Sequence, residues 1–188
     1  MSSTLDANIL VYASNTADDV HEQAEALVRR MAAGPELLYL FWPTILGYLH
    51  VVTHRSILPR PLGPREAMRN VEALLDRPHV RAPGEGDGFW SLYRSTAGDQ
   101  ARGNDVPDAH LAALMRQHGV RLIYTRDRDF RRFEGIEARD PFVSRDRPAA
   151  MACFRRSALR GPLTRETDTS ILHAWRARSE LTASDRRR

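Results

Sequence analysis

Three aspartates, Asp6, Asp108 and Asp127, are the residues whose type and placement could do chemistry. Asp6 closes a short apolar stretch that begins at Thr4-Leu5, and Asp127 follows the apolar run Arg121–Thr125 by two residues. Asp108 lies in the first turn of the helical stretch that leads into that run. If the two runs are strands of one open α/β sheet, the crevice beyond their carboxyl ends gathers all three acids. Carboxylates brought that close repel one another and raise each other's pKa unless a cation is shared among them. A divalent metal resolves the conflict. Oxygen-only ligands, with a single cysteine and no histidine pair at ligand spacing, favour Mg²⁺ or Mn²⁺ over Zn²⁺. Such an ion activates water and neutralises charge developing on a phosphodiester, which makes hydrolysis of nucleic acid the natural reaction class.

Each acid also has a plainer reading, because aspartates before or inside a first helical turn are common caps and dipole partners. Asp108 taken alone fits that description, and Asp129 is placed to cap a short helix holding Phe130 and Phe133. Spacing does not separate the two readings for these residues. Asp6 is harder to dismiss, since an unpaired carboxylate at a strand end inside an apolar stretch is costly. His110, two residues after Asp108, reads as a packing or surface residue rather than a general base. Trp42, Phe89, Trp90 and Tyr93 could stack on bases, although aromatics at such spacings more often serve a core or a protein interface.

The elements that must position these groups are legible from periodicity. After the first strand an apolar helical turn runs through Tyr12, and His21–Ala33 is an amphipathic helix stopped by Gly34-Pro35. Leu37–Phe41 reads as a buried strand. Pro43 opens a helix to about Thr53, and Pro64–Leu75 repeats the pattern with Ala67, Met68, Val71, Leu74 and Leu75 on one stripe. His79–Arg81 is a further short strand, and Gly84–Gly88 a turn before a helix carrying Phe89, Trp90, Leu92 and Tyr93. Val106–Met115 is a helix closed by His118-Gly119. Short apolar strands alternating with helices predict an α/β fold with a mainly parallel sheet.

The length of 188 residues suits one well-cored domain with about forty residues to spare. The pattern decays after Phe142, so the nuclease-like domain is expected over 1–144, followed by an Arg-rich tail, 145–188, that is flexible or holds one short helix near Thr169–Leu181. Residues 146–188 carry ten arginines against five acids, whereas the first 145 residues are near neutral. The pI near 9.8 therefore belongs to the tail rather than to a basic face of the domain. The N-terminus lacks the basic and apolar regions of a secretory signal, and no apolar run approaches a membrane helix, so a cytoplasmic protein with no membrane partner is expected. The lone Cys153 excludes an intrachain disulfide. All 28 cations are arginine, which argues against phosphoaspartate receivers and phosphatases, because both normally place a lysine beside the phosphoryl group.

Taken as a set, several segments resemble the conserved motifs of PIN-domain ribonucleases, and of VapC-like toxins among them. Leu5-Asp6-Ala7-Asn8-Ile9-Leu10-Val11-Tyr12-Ala13 looks like the opening motif, and Trp42-Pro43 through Arg55 is similar to the second conserved helix. Gly103–Leu114 and Tyr124–Ile136 resemble the third and fourth motifs, and Pro141-Phe142 the usual end of the domain. The resemblance covers about residues 3–142 in the correct order. It implies a three-layer α/β/α PIN-like fold with a central, mainly parallel sheet of four or five strands. It also implies Mg²⁺- or Mn²⁺-dependent endonucleolytic cleavage of RNA and inhibition by a small cognate antitoxin of VapB type, with a homodimer as a further candidate assembly. On the matching positions Asp6, Asp108 and Asp127 would be the catalytic metal ligands, held in place by Asn8 and Thr125. One departure stands out. Many PIN domains carry a glutamate in the second motif where this chain has Gly47. Asp105 and Asp129 are candidates for the missing charge, and the same loss leaves open a degenerate PIN fold that binds RNA or protein without cutting; the shared metal chemistry also leaves open a PIN nuclease with a non-toxin role, acting on DNA or on ribosomal precursors.

Overall fold

A computed structural model describes residues 2–99 and 101–143, and those up to Pro141 belong to one compact unit. The expected tail 145–188, its candidate helix and Cys153 lie outside the described residues. The first strand, β1 (Ser3–Leu5), is followed by helices α1 (Ala7–Ser14) and α2 (His21–Ala33), then β2 (Leu38–Tyr39) and α3 (Trp42–Thr53). Next come α4 (Pro64–Leu75), β3 (Val80–Arg81), α5 (Phe89–Ala97), α6 (Asp105–Gln117) and β4 (Leu122–Tyr124). A 3-10 helix, Arg128–Arg132, and a last strand, β5 (Glu137–Arg139), complete the unit. The last strand escapes the periodicity reading because only Ala138 of its three residues is apolar and both neighbours are charged.

All four strand pairings are parallel, in the order β3-β2-β1-β4-β5. The chain first builds outward from β1 through β2 to β3, then returns to lay β4 against the other side of β1. Right-handed crossovers therefore put the helices before β2 and β3 on one face of the sheet and α5 and α6 on the other. The reversal falls between β1 and β4, where Ser3 pairs with Leu122 and Leu5 with Tyr124. Diverging crossovers leave a crevice at the carboxyl ends of those two strands.

Burial explains the elements better than propensity does. β1 is buried throughout, as are Leu38, Leu40 and Phe41 around β2, which marks strands covered on both faces. Phe41, Leu111, Leu114, Met115, Ile123, Phe130 and Phe133 belong to one core cluster beneath α6 and β4. The stripe on α4 turns Ala67, Val71 and Leu74 inward, while Met68 stays exposed. On α3, Ile45, Tyr48 and Val52 are buried and Trp42 and Leu46 face solvent. Asn70, on the buried face of α4, donates to the Tyr48 hydroxyl at 2.9 Å, which in turn meets Ser14 Oγ at 2.9 Å. This polar seam among α1, α3 and α4 has no counterpart in the apolar pattern of the sequence.

Gly47 sits where α3 crosses α1. A Cβ at this position would lie 3.2 Å from the Ala7 Cβ, tighter than ordinary van der Waals contact. One turn earlier, buried Thr44 donates its hydroxyl to the Leu5 carbonyl at 3.0 Å, tying α3 to the last residue of β1. Thr44→Val keeps the shape and removes the donor. It is expected to lower stability by about 1–2 kcal/mol in urea denaturation, as for a buried hydrogen bond whose acceptor is left without its partner.

Candidate active site

Asp6 begins one residue after β1 and is anchored there by its backbone N–H, which donates to the Tyr124 carbonyl at 3.0 Å. Its carboxylate is then fixed by two neighbours. Thr125 Oγ1 and Asn8 Nδ2 each donate to Asp6 Oδ2 at 2.6 Å, and Asn8 Nδ2 also reaches Thr125 Oγ1 at 3.2 Å. Thr125 Oγ1 accepts from the Asp127 backbone N–H at 2.9 Å, so the loop carrying Asp127 is pinned to the same triangle. Asn8 and Thr125 are thus the positioning pair at Asp6. Burial raises the Asp6 pKa, opposed chiefly by the Thr125 hydrogen bond, and the Asp127 charge raises it further.

Asp127 stands at the N-terminus of the 3-10 helix, where its Oδ1 accepts from the Asp129 N–H at 2.8 Å. The residue that caps this turn is therefore Asp127, not Asp129 as the sequence suggested. An Asx turn bonds the backbone two residues on, and the first acid of Asp127-Arg128-Asp129 has the register to do so. Phe130 and Phe133 anchor the turn in the core, edge to face at 5.8 Å.

Asp108 arrives on the first turn of α6 without capping it through its own side chain. Its pKa is raised to about 6, first by burial and then by the charges of Asp127 and Asp6, with Asp129 adding a smaller push. Three acids from distant parts of the chain therefore feel one another at the crevice between β1 and β4. Among the described residues no group of three or more His, Cys, Asp or Glu is drawn into a ready ligand cage, and mutual repulsion opposes closer approach. The donor set nevertheless suits a hard divalent cation: the carboxylates supply oxygen only, and the buried Asn8 Oδ1 beside them has no hydrogen-bond partner.

The other candidates lie elsewhere or are engaged. The Asp105 carboxylate is hydrogen-bonded to Arg132, which holds its pKa below the usual range. His110 turns toward α5, bonding Glu85 at 2.6 Å and packing on the Phe89 ring. Phe89 and Tyr93 are half-buried against the core, and Trp90 lies stacked on Tyr93 with 67% of its surface exposed. The residue that the sequence reading overlooked is Arg132, whose Nη2 stands 3.8 Å from Asp108 Oδ2. Its signal was the run of alternating charge from Arg126 to Arg132.

The family model for the PIN domain matches residues 4–136, a span that contains every group in this crevice. The chain belongs to the PIN-domain family. Within it, this PIN domain is 54% identical to Ribonuclease VapC48 of Mycobacterium tuberculosis over 143 residues, covering 76% of the chain and 99% of the relative. It is 35% identical to Ribonuclease VapC43 of the same organism, over 73% of the chain and 93% of the relative. Among solved structures, VapC20 of Mycobacterium tuberculosis, described as a Sarcin-Ricin loop cleaving toxin, superposes with a TM-score of 0.51 at 19% identity. That match covers 71% of this PIN domain and 98% of VapC20. VapBC2 from Rickettsia felis bound to a promoter DNA fragment gives the same TM-score at 14% identity, over 74% of the chain and 98% of its own. These two likenesses concern the fold.

The raised pKa of Asp108 has a consequence for stability. Below pH about 4 the carboxyl is protonated folded and unfolded, and nothing is lost. As pH rises from about 4 to 6 the unfolded chain ionises first, so stability falls, and above 6 the full penalty remains. With the side chain 23% exposed, that penalty is about 1–3 kcal/mol. Asp108→Asn is therefore expected to raise the melting temperature in EDTA by several degrees at pH 7.5 and to leave it nearly unchanged at pH 3. An equal shift at both pH values would show that the charge of Asp108 is not what destabilises the fold.

Proposed function

We propose that this chain is a divalent-metal-dependent endoribonuclease and the toxin of a VapBC-type toxin–antitoxin pair. The observation that carries this reading is the electrostatic coupling of Asp6, Asp108 and Asp127 at the β1/β4 crevice, which nearby Arg132 offsets only in part. Asp6, Asp108 and Asp127 would hold Mg²⁺ or Mn²⁺, with Asp129, and on the sequence reading Asp105, as further acids nearby. Bound there, the ion would supply Lewis-acid polarisation of a phosphodiester and an ionised water as nucleophile.

The protein's own contribution is positional. Asn8 and Thr125 both donate to Asp6 Oδ2, which fixes the carboxylate plane. The capping bond at Asp127 Oδ1 does the same for the second acid. The crevice is acidic and the chain has exposed apolar side chains at Trp42, Leu46, Ile57 and Met68. A small VapB-type antitoxin that offers an apolar segment and a basic side chain matches both features. No helix among the described residues is long and apolar enough to cross a membrane. A homodimer would draw on the same exposed apolar side chains of α3.

The test is cleavage of labelled RNA by the purified chain with Mg²⁺, Mn²⁺ or EDTA, alongside Asp6→Asn, Asp108→Asn and Asp127→Asn. Each variant is expected to lose at least about two orders of magnitude in rate while remaining folded, on the scale of removing a principal source of transition-state charge stabilisation. Growth arrest on expression of the intact protein, relieved by a co-expressed neighbouring gene, is expected in parallel. Undiminished cutting in EDTA would overturn the metal mechanism, and a folded protein that neither cuts RNA nor arrests growth would favour the degenerate fold.

A further inference from the structure

The acids at the crevice repel an RNA phosphate as well as one another. Three carboxylates with one divalent ion leave a net charge of about −1, so a phosphodiester approaching the same crevice needs a fixed cation. Among the charged side chains at the site, one is placed for that purpose. Arg132 ends the same 3-10 turn that Asp127 begins, and its guanidinium is held at two points. Nη1 is hydrogen-bonded to Asp105 Oδ1, and the guanidinium carbon lies 4.8 Å from the centre of the Phe133 ring. Nη2 leans toward the acids but stops 3.8 Å from Asp108 Oδ2, beyond hydrogen-bond reach. That arm has no hydrogen-bonded partner among the described residues, and the side chain is 39% exposed, so a ligand can reach it.

Resting on the nuclease reading, we propose that Arg132 is the residue that binds the phosphate of the RNA next to the scissile bond, and that Asp105 is its positioning residue rather than a metal ligand. A planar guanidinium offers paired donors to a phosphate in fixed geometry, which an ammonium cannot match. Asp105 takes one arm and Phe133 supports the plane, leaving the second arm aimed along the edge of the acid cluster. When a cation neutralises Asp108, the attraction that draws Nη2 toward the carboxylate weakens, and the arm turns to the incoming anion. Asp127 and Arg132 share one turn anchored by buried Phe130, so the acid and the phosphate ligand keep a constant separation.

Two measurements on the full-length chain separate the assignments. The first is anisotropy of a fluorescein-labelled, mixed-sequence single-stranded RNA with Ca²⁺ in place of Mg²⁺ across a salt series, with RNA integrity followed on gels. The second is Mn²⁺ binding without RNA, by EPR. Arg132→Ala is expected to weaken RNA binding about tenfold and to flatten the slope of log K against log salt by about 0.7, one phosphate contact on a single strand. Its Mn²⁺ affinity is expected to be unchanged or higher, because a competing cation has gone. Arg132→Lys restores the salt slope but only part of the affinity. Asp105→Asn weakens RNA binding with Mn²⁺ affinity intact, and in the Arg132→Ala background it adds nothing. RNA binding and salt slope in Arg132→Ala equal to wild type would overturn the proposal while leaving the nuclease reading in place, provided the wild type cuts. Loss of Mn²⁺ affinity in Asp105→Asn in both backgrounds would return Asp105 to the metal. A wild-type protein that neither binds nor cuts RNA would remove both readings.

Discussion

The pairing of β1 with β4 is the contact on which the rest depends. These strands are separated in sequence by more than a hundred residues, and their register places Leu5 opposite Tyr124. The next residues on each side are then Asp6 and Thr125, one the acid and the other its hydrogen-bond donor. A shift of one residue would break the Asp6 backbone bond to Tyr124 and turn every β1 side chain to the opposite face. Because β1 is buried on both faces, the hydrophobic core and the site are set by the same register.

Around this contact the molecule accepts strain of an electrostatic kind. Burial and like charge act together on Asp6 and Asp108, and the hydrogen bonds from Asn8 and Thr125 offset only part of that cost. Such an arrangement disfavours the folded state at neutral pH and is therefore better explained by chemistry than by stability. The compensation lies in the apolar cluster of α6, β4 and the 3-10 turn, whose side chains are nearly all below a few per cent exposed. That cluster is rigid enough to hold the acids where solvation alone would drive them apart.

Long amphipathic segments were legible in the sequence, as α2, α4 and the helix containing Asp108 show: apolar spacing agreed with Gly34 at the end of α2, with Pro64 at the start of α4, and with Pro107 and Gly119 at the two ends of α6. The pairs Asp6 with Thr125 and Asp6 with Asn8 followed from family resemblance, not from spacing: Thr125 is more than a hundred residues from the other two, and a separation of two residues is no signal of a side-chain bond. What escaped was decided by tertiary contact. β5 is three residues long with charged ends and is a strand only because β4 offers a free edge. The Ser14–Tyr48–Asn70 seam is a chain of polar groups that hydrogen-bond to one another across three helices. The exchange of roles between Asp127 and Asp129 turned on one backbone N–H, and Arg132 lay hidden in a run of charge that reads as a solvated surface.

The crossing of α3 over α1 also limits what substitution alone can achieve. With only a hydrogen at Gly47, the two helices close to a spacing at which even a methyl group would press on Ala7. Any larger residue at this position requires Ala7 to give by a few tenths of an ångström. A glutamate at this position would therefore press on α1, the helix that starts beside Asp6. The packing at the α1–α3 crossing and the placement of the first carboxylate are in this way tied to the same short stretch of chain.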